Sequence, residues 1–143
     1  MASAATVRIV SWQHEASALR TIRTAVFIQE QQVPEALEWD EFDAVSVHAL
    51  AFNDAGQPVG TARLIPDGHI GRMAVLKQWR GQGFGGALLQ ALLQELRQRR
   101  QKKAMLNAQT YAMPFYQKFG FNVCSEVFME AGIPHVKMEL LLT

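Results

Sequence analysis

The segment Arg80-Gly81-Gln82-Gly83-Phe84-Gly85-Gly86 places four glycines in seven residues. Glycines at such spacing let successive backbone N–H groups turn toward one point, and a helix opening there adds its positive dipole end. That chemistry suits a phosphate or pyrophosphate. Three loops of this kind compete. Gly81-x-Gly83-x-x-Gly86 matches the dinucleotide fingerprint, but that reading needs an acidic residue about 20 positions on to hold the ribose hydroxyls. Gln101 stands there, and no Asp or Glu occurs between Glu95 and Glu126. A nucleoside-triphosphate loop requires Lys-Ser/Thr after Gly86, where the chain has Ala87-Leu88. A pyrophosphate nest without either partner survives.

The charged residues point to a second ligand surface. Residues 1–61 carry three basic and eight acidic side chains, whereas residues 62–143 carry eleven basic and five acidic. Such a split suits one surface for a cation and one for an anion, although solubilising charge would give the same tally. The run Arg97 to Lys103 is basic but falls where a helix ends and carries no interleaved aromatic residue, so no nucleic-acid partner is expected. His14, His48, His69 and His135 are scattered, Cys124 is the only cysteine, and no metal site is expected.

The elements that must position these residues follow from periodicity. Strands are expected at Thr6–Trp12, Val45–Phe52, Val59–Ile65, His69–Leu76, Ala104–Ala108, 121–128 and 135–142. Helices are expected from His14 to Gln29, from Phe84 to Gln101 and from Tyr111 to Phe119. In the first, Leu19, Ile22 and Val26 form an apolar stripe with Arg20 and Arg23 pointing elsewhere. In the second, Leu88, Leu89, Leu92, Leu93 and Leu96 share one face. The acidic stretch from Gln29 to Asp43, broken by Pro34, reads as a loop or short helix. Hairpins mixed with crossover helices make an α/β (α+β) sheet with helices on it.

At 143 residues, 49% hydrophobic and 19% charged, the chain is expected to form a single domain over 1–143 that needs no disulfide or metal. The opening MASAATVRIV does not read as a signal peptide, and no stretch approaches the ~20 apolar residues of a membrane span. A cytoplasmic protein with no membrane partner is expected.

Met73-Ala-Val-Leu-Lys-Gln-Trp-Arg-Gly-Gln-Gly-Phe-Gly-Gly86 resembles the acyl-CoA signature of the GNAT N-acetyltransferase superfamily, with Trp79, Arg80, Gly83 and Gly85 in its defined places. Ala112-x-x-Phe115-Tyr116-x-Lys118-x-Gly120-Phe121 is similar to that superfamily's second signature. VFIQEQQVPEALEWDEFD and AGIPHVKM resemble the ElaA/YjcF-like branch. The region from Arg23 through GTARLIP is also similar to acyl-homoserine-lactone synthases, which stay as an alternative beside a non-catalytic acyl-CoA sensor.

The GNAT resemblance implies a mixed, mostly antiparallel central sheet flanked by helices, with a splayed strand pair holding the acyl-CoA. It implies acetyl-CoA as co-substrate, with the backbone of Met73, Ala74 and Val75 pairing with the pantetheine arm and an N–H near Val75 facing the oxyanion. It gives Gly81, Gln82, Gly83, Phe84, Gly85 and Gly86 to the pyrophosphate, and Arg80, Lys77 and Lys118 to the ribose phosphate. Tyr116 falls at the position of the general acid. Gln109 falls where relatives carry Asn. His135, opening a strand after Gly132-Ile133-Pro134, is the better candidate for the base, whereas His48 alternates with apolar neighbours and reads as a sheet-face residue. In the family the segment after the first helix borders the acceptor. Seven acidic residues and no Lys or Arg lie between Thr24 and Ala62. Glu30, Glu38 and Asp40, with Asn107, are therefore expected to bind a small cationic amine acceptor. A homodimer is compatible with this reading.

Overall fold

The computed structural model describes residues 6–142; residues 1–5, part of the segment read for a signal peptide, and residue 143 lie outside the description. Strand β1 (Thr6–Val10) leads to helix α1 (Trp12–Arg23), where the Ser11 hydroxyl accepts from the His14 N–H and caps the first turn. The chain continues as a π-helical turn, Thr24–Glu30, and then a single turn, α2 (Glu35–Glu38). Next come β2 (Val47–Phe52), β3 (Pro58–Leu64), β4 (His69–Val75) and the long helix α3 (Phe84–Gln98). β5 (Lys103–Gln109), α4 (Met113–Gln117), β6 (Asn122–Val123), β7 (Phe128–Glu130) and β8 (Ile133–Leu141) complete the fold. This is the mixed α/β sheet with flanking helices that the resemblance implies.

Strand order is β1-β2-β3-β4-β5-β8-β6, with β7 added to β8, and every pair except β4–β5 is antiparallel. Alternation along β2 assigns the two faces. Ala49 and Ala51 pack with the buried leucines of α3, whereas Leu50 packs with Leu19 and Ile22 of α1 and Val26 of the π-helical turn. The two helices therefore cover opposite faces of one sheet.

Two elements and one buried residue depart from the sequence expectation. The strand expected over 121–128 is two short strands, because the Ser125 hydroxyl accepts the Lys137 N–H in place of a ladder carbonyl. α3 ends three residues early. Arg100 adopts φ +58° there, and Gln101 N–H donates to the Leu96 carbonyl, closing a C-terminal cap with arginine where glycine is usual. Arg23, expected to face away from the core, is fully buried.

The register of β4 creates the opening that matters. Thr61 of β3 opposes Ala74 of β4 and Arg63 opposes Gly71, so β4 carries one extra residue, and Arg72 sits at φ +47° in that bulge. β4 meets β5 only at His69–Met105 and Ile70–Leu106. Beyond these pairs the parallel strands part, while β5 stays paired with β8 as far as Gln109–His135.

Candidate active site

The glycine-rich loop stands at the parted end of β4. Gly81 and Gly83 lie at φ +75° and +91°, a region glycine enters without strain. A Cβ at either position would meet nothing within 4 Å, so conformation rather than space demands these glycines, and the loop is open above them. Gly83 begins α3 without any capping side chain, which leaves the first-turn N–H groups to a ligand. Gly86 is needed for packing, since a Cβ there would lie 3.1 Å from Phe119 and glycine lets the end of the α4 segment approach α3; at Gly85 a Cβ would make ordinary contact with Phe115 at 3.5 Å. Phe84 is buried edge-on against Trp79, and Gln82 is exposed. These features fit a CoA thioester: an unpaired strand edge for the pantetheine amides and an uncapped helix start for the phosphates.

Arg80 is held within the protein. Its guanidinium grips Glu30 with two hydrogen bonds of 2.7 Å, and its Nε donates to the Val75 carbonyl at 2.9 Å. The hydrogen bonds from Arg80 hold the Glu30 carboxyl below the ordinary glutamate value. Glu30 is thus tied to the glycine-rich loop, and the Val75 carbonyl is already bonded. Gln31, the next residue, accepts from the Gln109 amide at 2.8 Å. The end of the π-helical turn therefore touches both sides of the splay. Lys77 and Lys118 remain exposed.

A cleft of about 710 Å³ opens beside the splay, lined by Met73, Tyr116, Asn107, Gln109, Glu130 and His135, among others. The Tyr116 hydroxyl lies 3.6 Å from the Met73 sulfur, and burial pushes its pKa up to about 12. Asn107 Nδ2 donates to Glu130 Oε1 at 3.2 Å. His135 is buried at the end of β8, with Nδ1 2.7 Å from the Ile133 carbonyl and Nε2 3.4 Å from Glu130 Oε2. Glu130 was invisible to sequence reasoning. Its signal was the Glu-Ala-Gly turn of the β7–β8 hairpin, whose register returns the chain onto His135.

The expected acidic wall is not free. Arg23 donates to Glu38 Oε2 at 2.7 Å and to Asp43 Oδ1 at 2.6 Å, Arg63 reaches Asp40 and Asp43, and Arg72 reaches Glu38 and Asp40. Three carboxylates face three guanidinium groups. The sequence hid this because every one of those arginines comes from outside the acidic stretch. Glu38 and Asp40 are thus held by arginines, not presented to a cation. His48 lies beneath them, fully buried, with Nε2 donating to the Asp43 carbonyl. Among the described residues no group of three or more His, Cys, Asp or Glu side chains could hold a metal ion. No helix of those residues is long and apolar enough to cross a membrane.

A family model described as an acetyltransferase (GNAT) domain matches residues 12–142. The chain is 41% identical over 121 residues to the Bacillus subtilis protein YjcF, described as an uncharacterized N-acetyltransferase, covering 82% of this chain and 86% of that one. It is 33% identical over 129 residues to Escherichia coli ElaA, covering 85% and 84%. The crystal structure of Escherichia coli ElaA superposes with a TM-score of 0.83 at 29% identity, over 95% of this chain and 99% of that one. An acyl-CoA N-acyltransferase from Pseudomonas aeruginosa gives 0.80 at 32% identity, over 95% and 97%.

Proposed function

This chain belongs to the GNAT acetyltransferase family, and on that premise we propose that it moves an acetyl group from acetyl-CoA to a primary amine by direct attack. The observation that carries this reading is the splay of β4 from β5 with the open glycine loop at its end. The free edge of β4 over Met73, Ala74 and Val75 pairs with the pantetheine arm as an added strand would. The N–H groups from Gly81 to Gly86 hold the pyrophosphate at the start of α3. Arg80 supports the loop by tying Val75 to Glu30. The Gln109 side chain steadies the cofactor arm from the β5 side.

Three groups act on protons. His135 takes the proton that the ammonium must lose before it can attack, and an N–H near Val75 faces the oxyanion at a fixed position. Tyr116 donates to the departing sulfur. A thiol titrates near ~8.5, well below the value of about 12 for this phenol, so the tyrosine stabilises the thiolate through a hydrogen bond more readily than by complete transfer. Asn107 orients the Glu130 carboxylate beside His135. A cleft of about 710 Å³ is of the size that encloses a small molecule. The acceptor is therefore a small amine, and the paired acids give no support to a polycation.

Native mass spectrometry of the purified protein with equimolar acetyl-CoA and NADH tests the reading. One bound acetyl-CoA per chain, released as CoA when a competent amine is added, is the expected result. Retention of NADH with no CoA species would overturn it.

A further inference from the structure

The Ile133 carbonyl 2.7 Å from His135 Nδ1 can only accept, so Nδ1 carries a hydrogen and Nε2 is the ring nitrogen that can accept a proton. Glu130 Oε2, 3.4 Å from that nitrogen, is an acceptor as well. With no hydrogen on Nε2, both atoms are acceptors at one gap. A third group with N–H bonds to give satisfies both, and an ammonium has three. Asn107 already occupies the other carboxylate oxygen and so aims Oε2 at the gap.

Charge and surface narrow the ligand further. Of the carboxylates lining the cleft, Glu38 is held by arginines, whereas Asp67 and Glu130 each meet only a histidine among the described residues, and of these two only Glu130 stands beside His135 and Asn107. Beside His135 the cleft thus offers one carboxylate for one positive charge. Part of its rim is apolar and uncovered, with Leu37, Phe42 and Tyr111 exposed by 56%, 40% and 74%, and with Phe27 and Ile133 deeper in the wall. Side chains of this kind gain from being covered by apolar surface, and a second charge set against them would lose its hydration.

We propose that Glu130 and His135 form the ammonium seat of the acceptor, and that the acceptor is a primary amine with a single positive charge and an apolar body. This rests on the acyltransferase reading above. The seated ammonium gives one proton to His135 Nε2. Its nitrogen then forms the C–N bond as the C–S bond breaks, and the second proton lost by nitrogen ends on the departing sulfur. The amide, CoA thiol and one proton passed from His135 to solvent balance the reaction.

The probes are phenethylamine, n-hexylamine and spermidine, each assayed for thiol release from acetyl-CoA. Phenethylamine binding is also measured by calorimetry with the wild type and Glu130→Gln, with and without CoA, which needs no turnover. The two monoamines should exceed spermidine about tenfold or more in kcat/KM. Loss of one charge-assisted bond in Glu130→Gln should raise KM and Kd for phenethylamine about tenfold. Acetyl-CoA affinity should not change, and Glu130→Asp should restore part of the amine affinity. Preference for spermidine, or unchanged phenethylamine affinity in Glu130→Gln, would overturn the proposal. A wild type that binds phenethylamine but no acetyl-CoA would instead overturn the acyltransferase reading and leave the seat standing.

Discussion

Tyr116 and Arg23 are both half-hidden in the sequence, and burial gives them opposite consequences. A phenol pushed up to about 12 remains protonated across the physiological range, so its donor form is lost only as pH rises through that value. The kcat profile of the wild type should therefore show no descending limb from Tyr116 below about pH 11, on the value just given. Tyr116→Phe removes the hydroxyl that faces Met73 and should lower kcat by about 10²-fold while leaving acetyl-CoA affinity intact. Unchanged kcat would reduce the residue to packing. Arg23 lies between Trp12 and Trp39, with its guanidinium carbon 5.7 and 5.0 Å from their rings, and binds Glu38 and Asp43. Arg23→Met would leave two buried carboxylates short of their main cation, which costs about 3–5 kcal/mol. The exposed Glu30–Arg80 pair is different, and Glu30→Gln should cost under about 1 kcal/mol. Urea unfolding of both variants measures the contrast, and equal midpoints would contradict it.

The same loop can be tested as an element. α3 forms because its leucines recur on one face, and it starts at Gly83 because φ +91° there breaks the helix while leaving its N–H groups uncapped. Gly83→Asp should keep the fold, since aspartate tolerates left-handed backbone better than most residues and nothing lies within 4 Å of the new Cβ. Its carboxylate would stand where the pyrophosphate charge belongs. Calorimetry should show acetyl-CoA binding lost while the circular dichroism spectrum stays native, and retained binding would move the phosphates elsewhere. The bulge in β4 and the π-helical turn after α1 had no comparable signature. Each inserts one residue against a neighbouring element, and only that neighbour reveals the shift.

Across the whole molecule the ionic cluster joins α1, α2, β3 and β4, and it makes stability depend on pH. Burial pushes the pKa of His48 below the usual histidine value. A depressed histidine contributes stability above its unfolded value of about 6.5, and that contribution is lost as pH falls through the folded value. For Asp43 burial acts upward, but the hydrogen bonds and charge of Arg23, with the Asp40 N–H and Arg63, together outweigh it and hold the carboxyl low, so its share is lost only in stronger acid. Glu38 runs the other way: burial outweighs Arg72 and Arg23, raises its pKa and favours the fold below about 4.3. Between pH 7 and 5 His48 therefore sets the slope. Tm should fall over that window, and His48→Gln should flatten the fall; a flat wild-type profile would remove His48 from this role.

The sequence by itself determined the order of elements, the leucine face of α3 and the glycine loop, because each depends on residues within one or two turns of one another. The paired signatures around Arg80 and Tyr116 were legible for the same reason. Only the tertiary structure decided the partners of the charges. Seven acids without a local cation read as a negative wall, yet Glu38, Asp40 and Asp43 are met by Arg23, Arg63 and Arg72, and Glu30 by Arg80. Glu130 went unmarked, although it is the carboxylate that reaches His135. Coulombic attraction acts through space between elements far apart in the chain, and spacing along the sequence does not record it.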